Sequence, residues 1–451
     1  MITENIFFLI DHKHRDLPTS VLIGNHLEDF GYNVFYFPVN YGSLNKEISE
    51  KNPKAIIIPK PNFNQSETIF WSLKGIYLIV VETEGNHQDK EIVYRVLNKP
   101  NLYITWNHNI ANLYKRVLGK ETEIKVGGFH RGDLLHQNYR HLYGKREENL
   151  NSLGLNPKNF TVTIATSTQV AHLSKSRLQE QYKRRNAKFK TATDIYLIHK
   201  NQIQLRETSV NLIKKLSKYS NINIIIKPHP NENATFWHDL IQSLDSPRIR
   251  LIIAKSINEL LSCSDLHLSH NVCTTTIESL MLDIPTIEIH ARFSYEMYKK
   301  EHLELANFYS DDQDLIFEKI MQIMDGLKFK DKTKLNDYVN EYFYAFDGIR
   351  SNVYADEINK FLENAKPLSL LKTIISNPLV IIAMSLISIK TKILDWVSGR
   401  KKRIDIVNNP TKESSFVTNI SNTLVDKEYG LADNRIKIGD ENYWKERFVN
   451  K

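Results

Sequence analysis

Short, nearly unbroken apolar runs alternate along the chain with stretches whose apolar residues recur three and four positions apart. The first pattern predicts strands buried on both faces, the second predicts helices, and their alternation predicts βαβ units around mostly parallel sheets. FFLID, NVFYF, AIIIP, YLIVVE, LYITW and IKVGG arrive in turn between Ile6 and Gly128, with a helical pattern from Leu17 to Phe30 after the first. A second series, FTVTIAT, INIIIKP, IRLIIAK, LHLSH and TIEIH, begins at Phe160 and carries a long amphipathic helix around Leu205 to Tyr219. The polar stretch from Tyr139 to Lys158, with Gly144 and Gly154, reads as the linker between them. The expected architecture is α/β, with one Rossmann-like domain at residues 1–140 and a second at 155–330.

Beyond Asp311 the pattern turns helical, and residues 331–365 read as C-terminal helices. Residues 367–403 change character: no charge occurs between Lys372 and Lys390, and the stretch ends in Arg400-Lys401-Lys402-Arg403. A membrane-crossing helix needs about 20 predominantly apolar residues. This run is shorter and broken by Asn377, Pro378 and serines, so a basic amphipathic segment lying on a membrane surface is expected. A helix packed on the protein and a true span are the alternatives. Residues 404–451 form a polar tail, read as loosely ordered.

The net charge of +8 suits an anionic partner. The basic residues are scattered, and their one cluster follows an apolar run, which argues against nucleic acid. Cys263 and Cys273 are the only cysteines, so a disulfide framework is excluded, a reducing cytoplasm is expected, and thiols for a zinc site are lacking. At the N-terminus an acid precedes the apolar run and a basic cluster follows it, the wrong order for a signal peptide.

In open α/β sheets ligands gather at the carboxyl ends of the strands. After the first strand comes Asp11-His12-Lys13-His14-Arg15-Asp16, a cationic loop or a solvated turn. Glu82-Thr83-Glu84-Gly85 follows YLIVV and offers a general base or an exposed acidic turn. In Phe129-His130-Arg131-Gly132-Asp133 the arginine can clamp an anion and the aspartate can cap the next helix. Thr166-Ser167-Thr168-Gln169 is a substrate-bonding turn or an ordinary one. In Lys227-Pro228-His229-Pro230 each proline fixes its own φ and extends the residue before it, holding an imidazole in a stiff bend beside a lysine. That suits a phosphate; a histidine that merely caps a turn is the alternative. The stretch Ser269 to Glu278 leads into a helix whose start favours an anion, while Thr275 to Glu278 also fits a capping box.

Taken in order, HKHRDLPTSVLIGNHLEDFGYNV, ETEG, GGFHRGDLL, KPHPNENATFWHDL and SHNVCTTTIESLMLDIPTIEI give the chain a specific likeness. It resembles the bacterial surface carbohydrate (surface polysaccharide) biosynthesis proteins, within the two-domain GT-B glycosyltransferases that include Kdo transferases and bacterial sialyltransferases. It departs from them at Thr83, where the family has a carboxylate, and at Phe129 and His130, where the family has asparagine and proline.

The resemblance implies a GT-B fold and transfer of a sugar from a nucleotide donor, CMP-Kdo-like or UDP-linked, to a lipopolysaccharide or capsule glycan at the cytoplasmic face of the inner membrane. Glu84 and His229 are the expected catalytic pair. Lys227, Ser269, His270, Asn271, Thr274, Thr275, Thr276, Glu278, Thr166 and Ser167 are expected on the donor, and His14, Arg15, Glu82 and Arg131 toward the acceptor. No metal or cofactor is expected, because cations and a helix start can stabilise the developing charge. A nucleotide-sugar epimerase, a polyol-phosphate transferase and a non-catalytic glycan-binding protein remain open on the same fold.

Overall fold

The computed structural model describes residues 4–60, 65–83, 99–188, 195–270, 273–297, 300–329, 332–368 and 439–449. The first domain holds β1 (Asn5–Ile10), β2 (Asn33–Pro38), β3 (Ala55–Ile58), β4 (Tyr77–Val81), β5 (Leu102–Thr105) and β6 (Glu123–Val126). They form one sheet in the order β2-β1-β3-β4-β5-β6. The second domain holds β7 (Phe160–Ala165), β8 (Ile222–Lys227), β9 (Ile249–Leu251), β10 (Leu266–His270), β11 (Thr286–Ile289) and β12 (Phe308–Ser310), in the order β12-β11-β10-β7-β8-β9. Every pairing in both sheets is parallel. The central strands β3, β4, β5 and β10 are buried at every position, as a sheet covered by helices on both faces requires.

After the second domain the chain returns to the first. The helix Arg350–Asn364 packs on the helix Leu17–Asp29, placing Tyr354, Ala355, Ile358 and Leu362 in one apolar cluster with Ile6, Leu17 and Val21. Gly127 and Gly128 admit this approach: a Cβ on Gly127 would lie 2.2 Å from the Tyr354 ring, and Gly128 has φ +88°. Asp133 caps this distant helix rather than a nearby one, its carboxylate accepting from the Arg350 and Ser351 N–H groups at 3.0 and 2.6 Å. Two six-stranded parallel domains joined by a returning helix constitute the GT-B arrangement.

The end of the polar tail is anchored, contrary to the expectation of loose order. The helix Asp440–Val449 also packs on Leu17–Asp29, burying Phe448, with ion pairs Lys445–Glu28 at 2.6 Å and Lys13–Asp440 at 2.7 Å. Among the described residues no helix is long and apolar enough to cross a membrane. The apolar run and basic cluster of 369–403 lie outside the described residues.

Candidate functional site

Register brings three strand ends of the second domain side by side: Ser269 on β10 pairs with Ala165 on β7, and Ala165 pairs with Lys227 on β8. The loops that follow therefore open on one edge of the sheet. Lys227 is mostly buried, and its Nζ donates to the Ile253 carbonyl at 2.5 Å. Burial lowers its pKa to about 8, with the Glu259 charge opposing.

In the bend after β8 the Asn231 N–H donates to His229 Nδ1 at 3.1 Å. Glu232, which the sequence reading passed over, ties the bend down. Its carboxylate accepts from the His229 N–H at 3.1 Å, the Thr166 hydroxyl at 2.8 Å, the Trp237 indole at 3.0 Å and the Thr168 hydroxyl. Thr166 thus spends its hydroxyl inside the protein. A glutamate at a loop's end, beside a strand rich in isoleucine and before a tryptophan, was the available signal.

His270 also faces inward. Its Nδ1 accepts from the Ser167 N–H at 3.1 Å, so Nε2 carries the proton and donates to Ser209 at 2.7 Å. Burial, aided by His267, brings its pKa down to about 3. His267 gives Nδ1–H to the Thr163 carbonyl at 3.1 Å and takes the Thr275 hydroxyl on Nε2 at 3.2 Å; Ser269 contacts the same hydroxyl at 3.1 Å. Thr276 donates to Glu288 at 2.6 Å within the core. These side chains build the turn from behind, and among the described residues Cys273, Thr274 and Thr275 at the helix start stay partly exposed. The helix runs Thr274–Met281 with Cys273 at its cap and no side-chain cap bond, which corrects the capping-box expectation.

Glu278 is drawn away from that cap to the other domain. Arg131 Nη2 donates to Glu278 Oε1 at 2.6 Å and Nη1 to the Thr83 carbonyl at 3.3 Å. A donor-side and an acceptor-side candidate are thus partners of each other. Burial raises the Glu278 pKa against the pull of Arg131 and Arg15, and its Oε2 has no hydrogen-bond partner among the described residues.

On the facing domain, Asp16 is fully buried and accepts from Arg15 at 2.6 and 2.9 Å and from the His12 N–H at 3.2 Å. This pins the loop after β1. Burial and then Arg15 lower the His12 pKa to about 4; burial and then Lys227 lower that of His14. The Lys227 charge is among the influences that lower both. The Nε2 atoms of both histidines are buried without a hydrogen-bond partner among the described residues.

Glu82 does not face the cleft as an acceptor-side acid. It is 3% exposed and accepts from Tyr103 at 3.1 Å and Thr105 at 2.6 Å. Its polar partners on the adjacent β5 explain how a carboxylate tolerates the strand end. Glu84 and Asn271 lie outside the described residues. Among the described residues no group of His, Cys, Asp or Glu is placed to hold a metal ion.

Comparison with known proteins adds three findings. Residues 183–305 match the model of the LIC12162 family transferases. No curated protein matches the chain at a significant level. Among solved structures, the wall teichoic acid polymerase TagF soaked with CDPG is similar with a TM-score of 0.51 and 12% identity, covering 80% of this chain and 88% of that one. The Methanocaldococcus jannaschii UDP-GlcNAc 2-epimerase, in complex with UDP-GlcNAc and UDP, is similar with a TM-score of 0.50 and 12% identity, covering 80% and 100%. Both likenesses concern the fold, and the transferase model covers the second domain's β8 to β11 region, where Lys227, His229 and the Thr274 helix start stand.

Proposed function

We propose that the protein is a glycosyltransferase that moves a sugar from a nucleotide donor to a surface glycan. The observation that carries this reading is the alignment of the β7, β8 and β10 ends, which brings Lys227, the His229 bend tied to Thr166 through Glu232, and the loop leading to the Thr274 helix start to one edge of the sheet. Lys227 and His229 would take the donor phosphate, with the amides at Thr274 and Thr275 supplying further donors. His14, whose Nε2 has no hydrogen-bond partner among the described residues, or Glu84 would take the acceptor hydroxyl proton. The LIC12162 transferase match supports the reaction class, and the CDPG and UDP-GlcNAc of the two structural neighbours are in keeping with a nucleotide-linked donor. No resident cofactor or metal enters this scheme.

The donor is CMP-Kdo-like or UDP-linked in this reading, the acceptor a lipopolysaccharide or capsule glycan, and residues 367–403 hold the protein to the inner membrane's cytoplasmic surface. Screening CMP- and UDP-sugars with purified protein, with and without glycan acceptor, tests it. Acceptor-dependent nucleotide release that is lost in His229→Ala supports transfer. Acceptor-independent conversion of the sugar would replace it with an epimerase, and binding without turnover with a glycan-binding protein.

A further inference from the structure

The Pro228-His229-Pro230 segment has one main-chain donor, because proline carries no N–H. That donor, the His229 N–H, goes to Glu232 Oε2 at 3.1 Å, while the Glu232 N–H closes the bend onto the His229 carbonyl at 2.8 Å. The same Oε2 takes the Thr166 hydroxyl, at 2.8 Å, from the end of β7. Oε1 takes the Trp237 indole N–H at 3.0 Å and the Thr168 hydroxyl. Glu232 is 4% exposed, and these four donors are all neutral. The Asn231 N–H on Nδ1 leaves the proton of a neutral His229 ring on Nε2.

We propose that Glu232 is a positioning residue: it locks the His229 bend to the turn after β7 so that Nε2–H is presented to the donor phosphate. The proposal rests on the donor site described above. Its chemistry is specific to a carboxylate. Each oxygen receives one N–H, which cannot reverse, together with one hydroxyl, which can. A glutamine has the same shape, yet in either orientation its NH₂ faces an N–H: that of His229 or that of Trp237. The clash breaks the lock, and removing the indole N–H should restore it, since the amide oxygen can then turn to His229 and Thr168 can rotate to accept.

The test is kinetic. Glu232→Gln is expected to lower kcat about tenfold or more, the scale on which small misplacements of a reacting group act, with KM for the nucleotide-sugar changed far less. The double variant Glu232→Gln/Trp237→Phe is expected to regain the kcat of Trp237→Phe alone. Wild-type kcat in Glu232→Gln, or a double variant that stays as slow as the single one, overturns the proposal. Proteins labelled with ¹³C-histidine separate this from failure of the transferase reading. If no donor is turned over by the native protein, that reading fails. The His229 ring resonances still report the lock, shifting in Glu232→Gln and returning in the double variant; resonances that do not move refute it.

Discussion

Arg131 and Glu278 join the two domains through a buried ion pair 2.6 Å long, with side chains 11% and 2% exposed. The pair lies beside a mixed apolar cluster in which Trp106 and Phe129 of the first domain meet Ile277 and Met281 of the second. Removing one partner of a buried pair leaves a desolvated charge, at a cost of about 3–5 kcal/mol. Arg131→Ala is expected to lose stability on that scale in urea denaturation, and Arg131→Ala/Glu278→Gln to recover most of it. Equal stability of the single variant and the native protein would show the pair to be idle.

If the proposed donor site is right, Lys227 should set an alkaline limit on phosphate binding. With a pKa of about 8 it is charged below that pH and neutral above it. Calorimetric affinity for CMP or UDP should fall as pH rises from 7 to 9, and Lys227→Arg should flatten that fall, since arginine stays charged.

Acid should destabilise the protein through its buried imidazoles. His130, His267 and His270 have pKa values near 3, 4 and 3, against 6.5 when exposed, so the unfolded chain takes up protons first. Stability is therefore present above pH 6.5 and lost as pH falls below it. Asp133 acts the other way: burial raises it to about 6 from 3.8, so the folded state holds its proton first and gains as pH drops through that window. Asp133→Asn should steepen the decline in melting temperature between pH 7 and pH 5.

The docked C-terminal helix should come loose without disturbing the second domain. Phe448, 8% exposed, packs there with Trp444 nearby and Tyr139 edge-on at 6.2 Å. Phe448→Ala should raise hydrogen exchange in 440–449 and in the facing part of Leu17–Asp29, with β7 to β12 unchanged.

Strand ends were the legible part of this molecule. Apolar runs located the two sheets, and the residues following them included Lys227, His229, Arg131 and the β1 loop, because an all-buried strand must end where its chain meets the cleft or the solvent. Which way a side chain turns there was not legible. His270 and Thr276 point inward because Ser209 and Glu288 wait for them on other elements. Glu82 is claimed by two hydroxyls on β5, and Asp133 caps a helix that begins 217 residues later. Such partnerships are set by topology, and local pattern carries no trace of them. Glu232 was missed for the opposite reason: an acid in a polar loop looks solvated until its neighbours are known.

The helices Arg350–Asn364 and Asp440–Val449 both clasp Leu17–Asp29. The chain therefore leaves the described residues after 368 and re-enters them at 439 against the same helix of the first domain. A rotation of the second sheet against the first would leave the distance between these two points unchanged, because both lie on the first domain.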